Sequence, residues 1–427
     1  MKLVEEWARA NPRSRELHEQ ACRALPGGLT HDVRRAEPFP LTVDRAEGAH
    51  KWDADGHELV CHVMGHGALF FGHGHEAVVD AVRRQVGLFL HAGAGHELER
   101  AWAEQVVRLV PSAERVRFTS SGTEATLLAL QVARASTGRP RAVRILGHFH
   151  GWHDYAAFGV DPPYDRRPPG VPEEVLRLVA VVPPDPAAVE HELAAGDVAA
   201  VLLEPSGAAW GAVPLPAGFL AAVRQLTRAH GSVLVFDEVV TGFRWAPGGV
   251  QQESGVVPDL TALAKILAGG LPGGALGGRA ELMDVLDFAA ASKVAHPGTH
   301  NAHPLSAAAG TVTLALLADG HGQAQAAARA AALREGLNGV LSRRSAPGLA
   351  YGQSSTFKLR LGVETATKES PSGALGDALQ CGMLLHGVHL FHGDGFVGEA
   401  HADGDIERTI AAFEAVVPRL QEEGLLA

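Results

Sequence analysis

The stretch "GSVLVFDEVV", residues 231–240, is a run of apolar, β-forming side chains that ends in two adjacent carboxylates, Asp237 and Glu238. Four to eight such residues without polar alternation are typical of a strand buried on both faces. Burying a carboxylate is costly unless a positive group meets it. The sequence therefore predicts a cation at the end of this strand.

Similar apolar runs occur upstream and alternate with helical patterns. The predicted strands cover 116–120, 141–146, 178–182, 199–204 and 232–238. Two of the intervening helices end at glycines, Gly138 and Gly231, as helices commonly do. Strand–helix alternation over this length predicts an α/β fold with a largely parallel sheet.

The two ends of the chain follow other patterns. Residues 1 to about 25 predict one amphipathic helix, and 26–60 predict two short strands around an "ADG" turn. Beyond residue 304, Ala-rich helices, weak strand signals and a last helix near 405–424 predict a smaller α+β domain. We expect a segment 1–60 that contributes to this small domain and to the substrate site, a large domain over 61–304 and a C-terminal small domain over 305–427.

Composition restricts the class of partner and the compartment. The 427 residues carry a formal net charge of -11, and no run of Lys or Arg exceeds two residues. Nucleic acid and anionic membranes are therefore not expected partners. The three cysteines predict no disulfide framework, and the charged N-terminus lacks the apolar segment of a signal peptide, so a cytoplasmic location is expected.

A candidate anion site lies in "RFTSSGTEATLLAL", where a predicted strand ends near Ser120 and a helix begins near Thr123. Backbone N–H groups and the helix dipole converge at such a junction, and this suits a phosphate. A simple helix cap, with Glu124 in the first turn, explains the same residues.

A candidate nucleophile lies in "PDLTALAKILAGGLPGGALGG". Lys265 follows an apolar stretch, and glycines that allow close backbone approach come after it. A lysine in dry surroundings tends to lose its proton and can form Schiff bases. The alternative is a lysine at a helix start whose amine reaches solvent.

These features are more specific together than alone. A pyridoxal-phosphate enzyme needs a phosphate site, a Schiff-base lysine and an acid on the ring nitrogen. The cation predicted beside Asp237 is then the pyridinium of the cofactor. The ends of α/β strands are also where ligands usually bind.

The motifs "SSGTEA", "HFHGWHD", "LLEPSGAAWG", "VFDEVVTGFR", "LAKILAGGLPGGALGGR" and "GTHNAHPLSAAAG" resemble those of class III pyridoxal-phosphate-dependent aminotransferases. The branch most similar is that of glutamate-1-semialdehyde aminomutase and its aminotransferase relatives, from about residue 25 onward. The resemblance implies fold type I, with a mostly parallel, seven-stranded type of sheet and a smaller α+β domain. It also implies a homodimer with shared active sites and pyridoxal 5'-phosphate as cofactor, with pyridoxamine 5'-phosphate as the intermediate form.

The resemblance also implies a role for individual residues. Lys265 is expected to bind the cofactor covalently and Asp237 to keep its ring nitrogen protonated. The other expected cofactor-binding residues are Ser121, Gly122 and Thr123 at the phosphate, Phe149, His150 and Val239 at the ring, Glu204 in support of Asp237, and Thr299 from the other subunit.

The substrate residues are expected by the same resemblance. "PGGLTHDVRRAEPFP" is similar to the family segment whose arginine pairs with the substrate carboxylate, so Arg34 is the candidate and Arg35 the alternative. His66 falls where an aromatic residue often lines the pocket, and a structural histidine is the other interpretation.

Two departures from the aminomutase pattern favour transamination between a carboxylate-bearing amino compound and a keto or aldehyde acceptor. Ala209 replaces the asparagine of the aminomutase motif, and the Pro-rich segment 160–172 replaces a Gly/Ser-rich lid. An aminomutase must retain its intermediate, so a poor lid disfavours it. Intramolecular amino transfer remains the alternative, and a decarboxylase is a more distant one. The sequence does not identify the donor, the acceptor or the position of the amine.

Two other classes of protein fit the sequence less well. His148, His150 and His153 have spacings from which zinc sites can be built, but no HExxH-type acidic partner occurs, so no metal is expected. A non-catalytic binding protein on this fold would be expected to lack Lys265 or Asp237, and both are present.

Overall fold

A computed structural model describes residues 2–427 and divides the chain into two compact units. The smaller unit combines residues up to His75 with Ala324–Ala427, and the larger unit is Glu76–Gln323. Each unit has its own sheet structure.

The strands, in chain order, are β1 Val43–Glu47, β2 His50–Asp53, β3 Glu58–Cys61, β4 Arg115–Thr119, β5 Arg141–Ile145, β6 Val179–Val182, β7 Val198–Leu203, β8 Val233–Asp237, β9 Leu260–Ala264, β10 Gly274–Gly278, β11 Gly348–Tyr351, β12 Thr356–Leu361, β13 Val388–His389 and β14 Asp394–Phe396. The α-helices are α1 Lys2–Ala10, α2 Pro12–Ala21, α3 Met64–Gly67, α4 Glu76–Val86, α5 Glu97–Leu109, α6 Gly122–Thr137, α7 Glu173–Leu176, α8 Pro186–Leu193, α9 Ala208–Gly211, α10 Phe219–His230, α11 Gly249–Ser254, α12 Ala280–Met283, α13 Pro304–Leu316, α14 His321–Arg343, α15 Gly373–Leu385 and α16 Asp403–Glu422. Short 3-10 turns cover Pro26–Gly28, Asp32–Arg34, Lys265–Ala268 and Asp284–Leu286.

The larger unit is built on a seven-stranded sheet in the order β4-β10-β9-β8-β7-β5-β6. Pairing is parallel from β9 to β6, and β10 alone runs antiparallel to both of its neighbours. This confirms the predicted α/β class with a mostly parallel sheet.

The core of the larger unit lies on both faces of that sheet. Every residue of β7 and β8 is buried. Alternate side chains of these strands pack against α6 on one face and against α8 and α10 on the other. Two-sided burial is why the strands read as continuous apolar runs in the sequence.

The smaller unit contains two sheets. One has the order β1-β2-β3-β13, in which β13 pairs with β3 in parallel, and the other is the antiparallel sheet β11-β12-β14. The turn at residues 54–57 joins β2 to β3, as predicted, and β1 is an additional strand.

One expectation about local structure was wrong, and two strands were missed. The single helix predicted at the N-terminus is two helices, α1 and α2, because Pro12 lacks the N–H that would continue the first. Strands β9 and β10 were not predicted. Alanine and glycine occupy four of the five positions of β10, and β9 has two alanines and a single β-branched residue, so the β-branched signal is weak there.

Candidate active site

The candidate residues of the larger unit follow the carboxyl ends of five strands. Because β10 is antiparallel to both β4 and β9, those two strands share the direction of β8, β7 and β5. The ends of β4, β5, β7, β8 and β9 therefore lie at one edge of the sheet. This is the edge at which open α/β sheets bind ligands.

The N-terminus of α6 forms the candidate anion site. Ser121 is its N-cap, and its hydroxyl accepts a hydrogen bond from the Glu124 amide at 3.2 Å. Glu124 in turn accepts from the Ser120 amide at 2.6 Å. The amides of Gly122 and Thr123 belong to the first turn, which has no intrahelical acceptors. The cap and the anion site are thus compatible features of one turn.

Gly122 allows three elements to meet. A Cβ atom at this position would lie 2.8 Å from Cγ2 of Val239 and 3.4 Å from the Cβ of Ala264. Val239 follows β8, and Ala264 immediately precedes Lys265. The absence of a side chain at Gly122 therefore brings the first turn of α6 against the residues beside Asp237 and Lys265.

Asp237 ends β8 and is buried, with its two carboxylate oxygens bound separately. One oxygen accepts from the Val239 amide at 3.0 Å, and the other lies 2.7 Å from Nδ1 of His150. Burial raises the pKa of Asp237 to about 7, against the lowering effects of the Val239 amide and of the charges on Lys265 and Arg144.

His150 is the second member of this pair. Burial lowers its pKa well below the ordinary value, and Arg144 adds to the effect, so the ring is neutral. Its Nε2 atom is buried and has no hydrogen-bond partner within residues 2–427. The pair thus combines a carboxyl group whose pKa is about 7 with a neutral imidazole ring that binds it.

Lys265 lies at the end of β9 with φ at 54°, in the left-handed region that non-glycine residues rarely adopt. Such strain persists where the surrounding structure imposes it, and it is common at functional sites. Burial lowers the pKa of Lys265; the Asp237 carboxylate opposes this and Arg244 reinforces it. The amine is thereby made more nucleophilic.

Glu204 follows β7 and joins two loops. One of its oxygens accepts from the Phe149 amide at 2.8 Å and the Ala209 amide at 3.2 Å, and the other accepts from the Trp210 amide at 2.7 Å. Ala209 and Trp210 have φ near 50°. Glu204 therefore fixes the backbone beside His150 as well as the strained turn at 209–210.

Two buried arginines of this unit were missed by the sequence analysis. Arg144 donates to the carbonyls of Phe158 at 2.8 Å and His148 at 2.9 Å, and burial lowers its pKa to about 10. Arg244 is fully buried, and burial lowers its pKa to about 9. The motif "VFDEVVTGFR" ends in Arg244, so a single basic residue a few positions after the two buried carboxylates was the available signal.

Glu238, the neighbour of Asp237, has a different environment. Its carboxylate accepts from the amides of Val250 at 2.7 Å and Gln251 at 3.2 Å and from the hydroxyl of Thr241 at 2.8 Å. It therefore caps the start of α11. Of the two adjacent carboxylates, one is satisfied by its own surroundings and the other faces His150.

Phe149 and Thr299 lie on exposed segments of the larger unit. The Phe149 side chain is 56% exposed. Thr299 lies in the loop before α13, where its carbonyl accepts from Nε2 of His91 at 2.5 Å. Neither side chain is enclosed by the chain itself.

The substrate candidates Arg34, Arg35 and His66 belong to the smaller unit and line one cavity of about 380 Å³ there. Arg35 pairs with Glu37 at 2.9 Å. Arg34 has no carboxylate partner among the described residues. The ring of His66 stacks on His31, with centroids 5.0 Å apart.

Two of the three histidines with zinc-type spacing are bound by protein groups. Nδ1 of His148 accepts from the Glu204 amide at 2.8 Å, and His150 binds Asp237. Within residues 2–427, no group of three or more His, Cys, Asp or Glu side chains is arranged to hold a metal ion. Nor does any helix there have the length and apolar character needed to span a membrane.

Comparison with known proteins gives the class of enzyme. Residues 32–348 match the family Aminotransferase class-III. The chain belongs to this family and is a pyridoxal-phosphate-dependent class III aminotransferase or related aminomutase, as the sequence motifs predicted.

Three similar proteins illustrate the range of the family. The glutamate-1-semialdehyde 2,1-aminomutase of Methanopyrus kandleri is 38% identical over 423 residues, which cover 96% of this chain and 98% of that protein. An omega-transaminase from Sphaerobacter thermophilus superposes with a TM-score of 0.90 at 32% identity, covering 97% of this chain and 99% of that one. A variant glutamate-1-semialdehyde aminomutase from Pseudomonas aeruginosa, in complex with PMP, gives 0.89 at 26% identity, covering 98% and 97%.

The residues present fit pyridoxal phosphate. The unpartnered, buried Nε2 of His150 and the close approach that Gly122 permits both occur where the family's cofactor motifs fall. A helix N-terminus, a buried carboxylate and a lysine of lowered pKa supply the three kinds of group that the cofactor needs.

Proposed function

We propose that this enzyme transfers an amino group between two separate molecules, a carboxylate-bearing amino compound and a keto or aldehyde acceptor. The observation that carries this proposal is the turn at Ala209. Glu204 holds its backbone amide, yet the residue has only a methyl side chain. No side-chain hydrogen-bonding group is available there to retain an intermediate between the two halves of an intramolecular transfer.

The larger unit holds the cofactor in this proposal. The first-turn amides and hydroxyls at Ser121, Gly122 and Thr123 bind its phosphate, because a helix N-terminus favours an anion. Asp237, oriented by His150, keeps the ring nitrogen protonated. Phe149 and Val239 would pack against the ring.

Bound pyridoxal phosphate supplies an aldehyde that condenses with amines and a protonated ring that withdraws electrons. Lys265 holds the cofactor through its amine before the donor binds. Once displaced, the same amine removes the proton from the substrate carbon and delivers it as general acid. The burial that lowers its pKa makes the neutral form more available for this task.

Arg34 binds the substrate carboxylate in this proposal. Its guanidinium has no carboxylate partner within residues 2–427, whereas Arg35 is already paired with Glu37. A guanidinium–carboxylate pair gives orientation as well as affinity. His66 lines the same cavity and contributes to specificity.

The proposed assembly is a homodimer in the cytoplasm, in which Thr299 of one subunit joins the phosphate site of the other. Support comes from the surface of the larger unit, where the consecutive residues Leu88, Phe89 and Leu90 are all exposed. Contiguous exposed apolar side chains are typical of protein interfaces.

The aminomutase reaction is the second candidate, favoured by the 38% identity to the Methanopyrus kandleri protein. The two reactions differ in the fate of the nitrogen. Transamination moves it to a second molecule and releases a carbonyl product, whereas the aminomutase reaction keeps it in the same carbon skeleton.

The test is an isotope transfer experiment with the reconstituted holoenzyme. Nitrogen-labelled amino donors are incubated with unlabelled keto acids, and products are identified by mass spectrometry while absorbance follows the cofactor. We expect label in the former keto acid and a carbonyl product from the donor. Glutamate 1-semialdehyde rearranged without transfer of label to any acceptor would establish the aminomutase instead.

The matched control is Lys265→Ala, which is expected to bind cofactor without covalent attachment and to lose turnover. Borohydride reduction followed by peptide mapping locates the attachment. A Lys265→Ala enzyme with full activity would refute the assigned role of Lys265.

A further inference from the structure

A second pair of reactive side chains lies in the smaller unit, on one face of the β1-β2-β3-β13 sheet. Lys51 on β2 pairs in register with Leu59 on β3, so Cys61, two residues further on, is the diagonal neighbour on the same face. His389 on β13 pairs directly with Cys61. The register therefore places an amine, a thiol and an imidazole side by side.

Lys51 is unusual among the lysines because it is only 6% exposed and has no carboxylate partner among the described residues. Burial lowers its pKa, and the Cys61 thiol opposes this effect. Its side chain lines the cavity of about 380 Å³ that exposed Arg34 also lines. Small molecules that enter the cavity can thus reach the amine.

Cys61 and the other buried cysteine, Cys381, are equally buried, since each is 1% exposed. The groups around the two sulfur atoms differ. Nε2 of His73 lies 3.5 Å from the sulfur of Cys61, and the Met64 amide donates to that sulfur at 3.4 Å. Although burial acts to raise it, the pKa of Cys61 is lowered to about 7 by Lys51 and His73. Burial and the nearby Asp377 raise the pKa of Cys381 to about 12.

We propose that Cys61 and Lys51 form an oxidative modification site, at which a small peroxide converts the thiol to a sulfenic acid and the lysine amine then closes a sulfenamide crosslink. The chemical class of reagent is a peroxide as small as hydrogen peroxide, which enters the cavity beside Lys51 and must pass between side chains to reach the sulfur, because Cys61 itself does not line the cavity. A thiolate beside cationic groups is the kind of cysteine that peroxides oxidise.

The first step consumes one peroxide. His73 accepts the thiol proton, the sulfur attacks the nearer peroxide oxygen, a sulfur–oxygen bond forms and the oxygen–oxygen bond breaks. The leaving hydroxide takes the proton from His73 and departs as water. Cys61 is oxidised by two electrons, and the peroxide is reduced by two.

The second step needs no further oxidant. The neutral amine of Lys51 attacks the sulfur, a nitrogen–sulfur bond forms, the sulfur–oxygen bond breaks, and the hydroxyl leaves with an amine proton as water. In sum, thiol, amine and hydrogen peroxide give a sulfenamide and two waters. Added thiol reverses the link, restoring Cys61 and Lys51 as the added thiol is oxidised to a disulfide.

The crosslink has an electrostatic consequence for the cavity. Before the reaction the Lys51 amine exchanges a proton with solvent and can exist as an ammonium; the sulfenamide nitrogen stays neutral, so the cavity lined by Arg34 loses the cation that protonated Lys51 supplies. Strands β2 and β3 also become covalently joined.

The experiment uses the holoenzyme with Cys22→Ser, which removes the exposed thiol, and treats it with graded hydrogen peroxide. We expect an intact mass lower by two hydrogen atoms and, after trypsin, a single peptide of residues 46–83 that contains both Lys51 and Cys61, uncleaved at Lys51 and lighter by two hydrogen atoms than its sequence requires. Dithiothreitol should restore the original mass. Cys381 serves as the internal control and should remain unmodified.

The variants Lys51→Met and Lys51→Arg separate the steps. Both should lose the crosslink, and Cys61 should then accumulate as a sulfenic acid that dimedone traps. Lys51→Arg keeps the positive charge, so it guards against a folding defect in Lys51→Met. The proposal is overturned if Cys61 stays reduced under peroxide that fully oxidises Cys22 in the wild type, or if it is oxidised with Lys51 present and no link forms.

Discussion

Nδ1 of His150 lies 2.7 Å from the carboxylate of Asp237, and both side chains are buried at the carboxyl edge of the large sheet. The adjacent carboxylate, Glu238, is not part of this pair and accepts hydrogen bonds from amides at the start of α11 instead. Two neighbouring acids of similar burial thus have separable roles, and substitution can distinguish them.

Replacing Asp237 by Asn removes the charge that keeps the cofactor ring protonated. We expect kcat to fall by about 10²–10³-fold, the usual cost of losing one oriented electrostatic group. Steady-state kinetics with saturating cofactor measure this. Glu238→Gln is the matched control and should keep kcat within a few-fold while lowering the free energy of unfolding by about 1–3 kcal/mol. A larger kcat loss in Glu238→Gln than in Asp237→Asn would reverse the assignment.

The raised pKa of Asp237 predicts a pH dependence of stability in the cofactor-free protein. With a folded pKa of about 7 and an ordinary value of 3.8, the native state binds more protons between these limits. The contribution of Asp237 to the free energy of unfolding is fully present below pH 3.8. It is lost as pH rises through 7, at up to about 1.4 kcal/mol per pH unit. Thermal midpoints across this range should fall less steeply in Asp237→Asn.

Buried His150 makes the free energy of unfolding rise with pH, because its folded pKa is lowered. The contribution of Asp237 is therefore obtained from the difference between the pH slopes of wild type and Asp237→Asn. Equal slopes in the two proteins would assign the titration to another group.

Gly122→Ala tests the close packing at the anion site. The added Cβ would lie 2.8 Å from a methyl of Val239, so the first turn of α6 must move. Overpacking of this kind costs about 1–3 kcal/mol, or about 5–150-fold in the cofactor dissociation constant. Fluorescence titration with pyridoxal phosphate measures the change. Gly404→Ala, where a Cβ meets nothing within 4 Å, is the control. Unchanged affinity in Gly122→Ala would exclude this turn from the cofactor site.

Arg34 and Arg35 give a second matched pair. Arg34→Ala should raise KM for a carboxylate-bearing donor by about 30–150-fold, because a charge-assisted pair is worth about 2–3 kcal/mol. A donor amine without a carboxylate should show little change. Arg35 is 79% exposed and paired with Glu37, so Arg35→Ala should have an effect of less than about threefold. The reverse order would make Arg35 the substrate ligand.

The residues that sequence reasoning found share a position in the fold. Asp237 is the last residue of its strand, and Lys265 and Ser121 come just after theirs, where polar groups interrupt apolar runs and are easy to see. Arg144 and Arg244 escaped notice because an isolated arginine usually lies at the surface, and only the folded core shows that these two are buried. The pairing of His150 with Asp237 joins residues 87 positions apart, a contact that no local pattern contains.

The missed strands have a physical reason as well. β10 is "GALGG", whose glycines allow close packing: a Cβ at Gly274 would lie 2.3 Å from the Ser121 carbonyl oxygen. Its place in the sheet is therefore imposed by neighbouring backbone rather than by its own propensity. The prediction of a single N-terminal helix was wrong for the opposite reason. The helical pattern of side chains continues across Pro12, whereas the helical backbone does not.

Glu204 receives three amide hydrogen bonds, two of them from Ala209 and Trp210, and all of these donors are main-chain groups. The path of the loop is therefore specified without reference to the side chain at position 209. A single codon change there can alter the chemistry offered to a ligand while the scaffold stays in place. The backbone amide of residue 209 therefore preserves the fold, whereas its side chain is free to vary with the reaction.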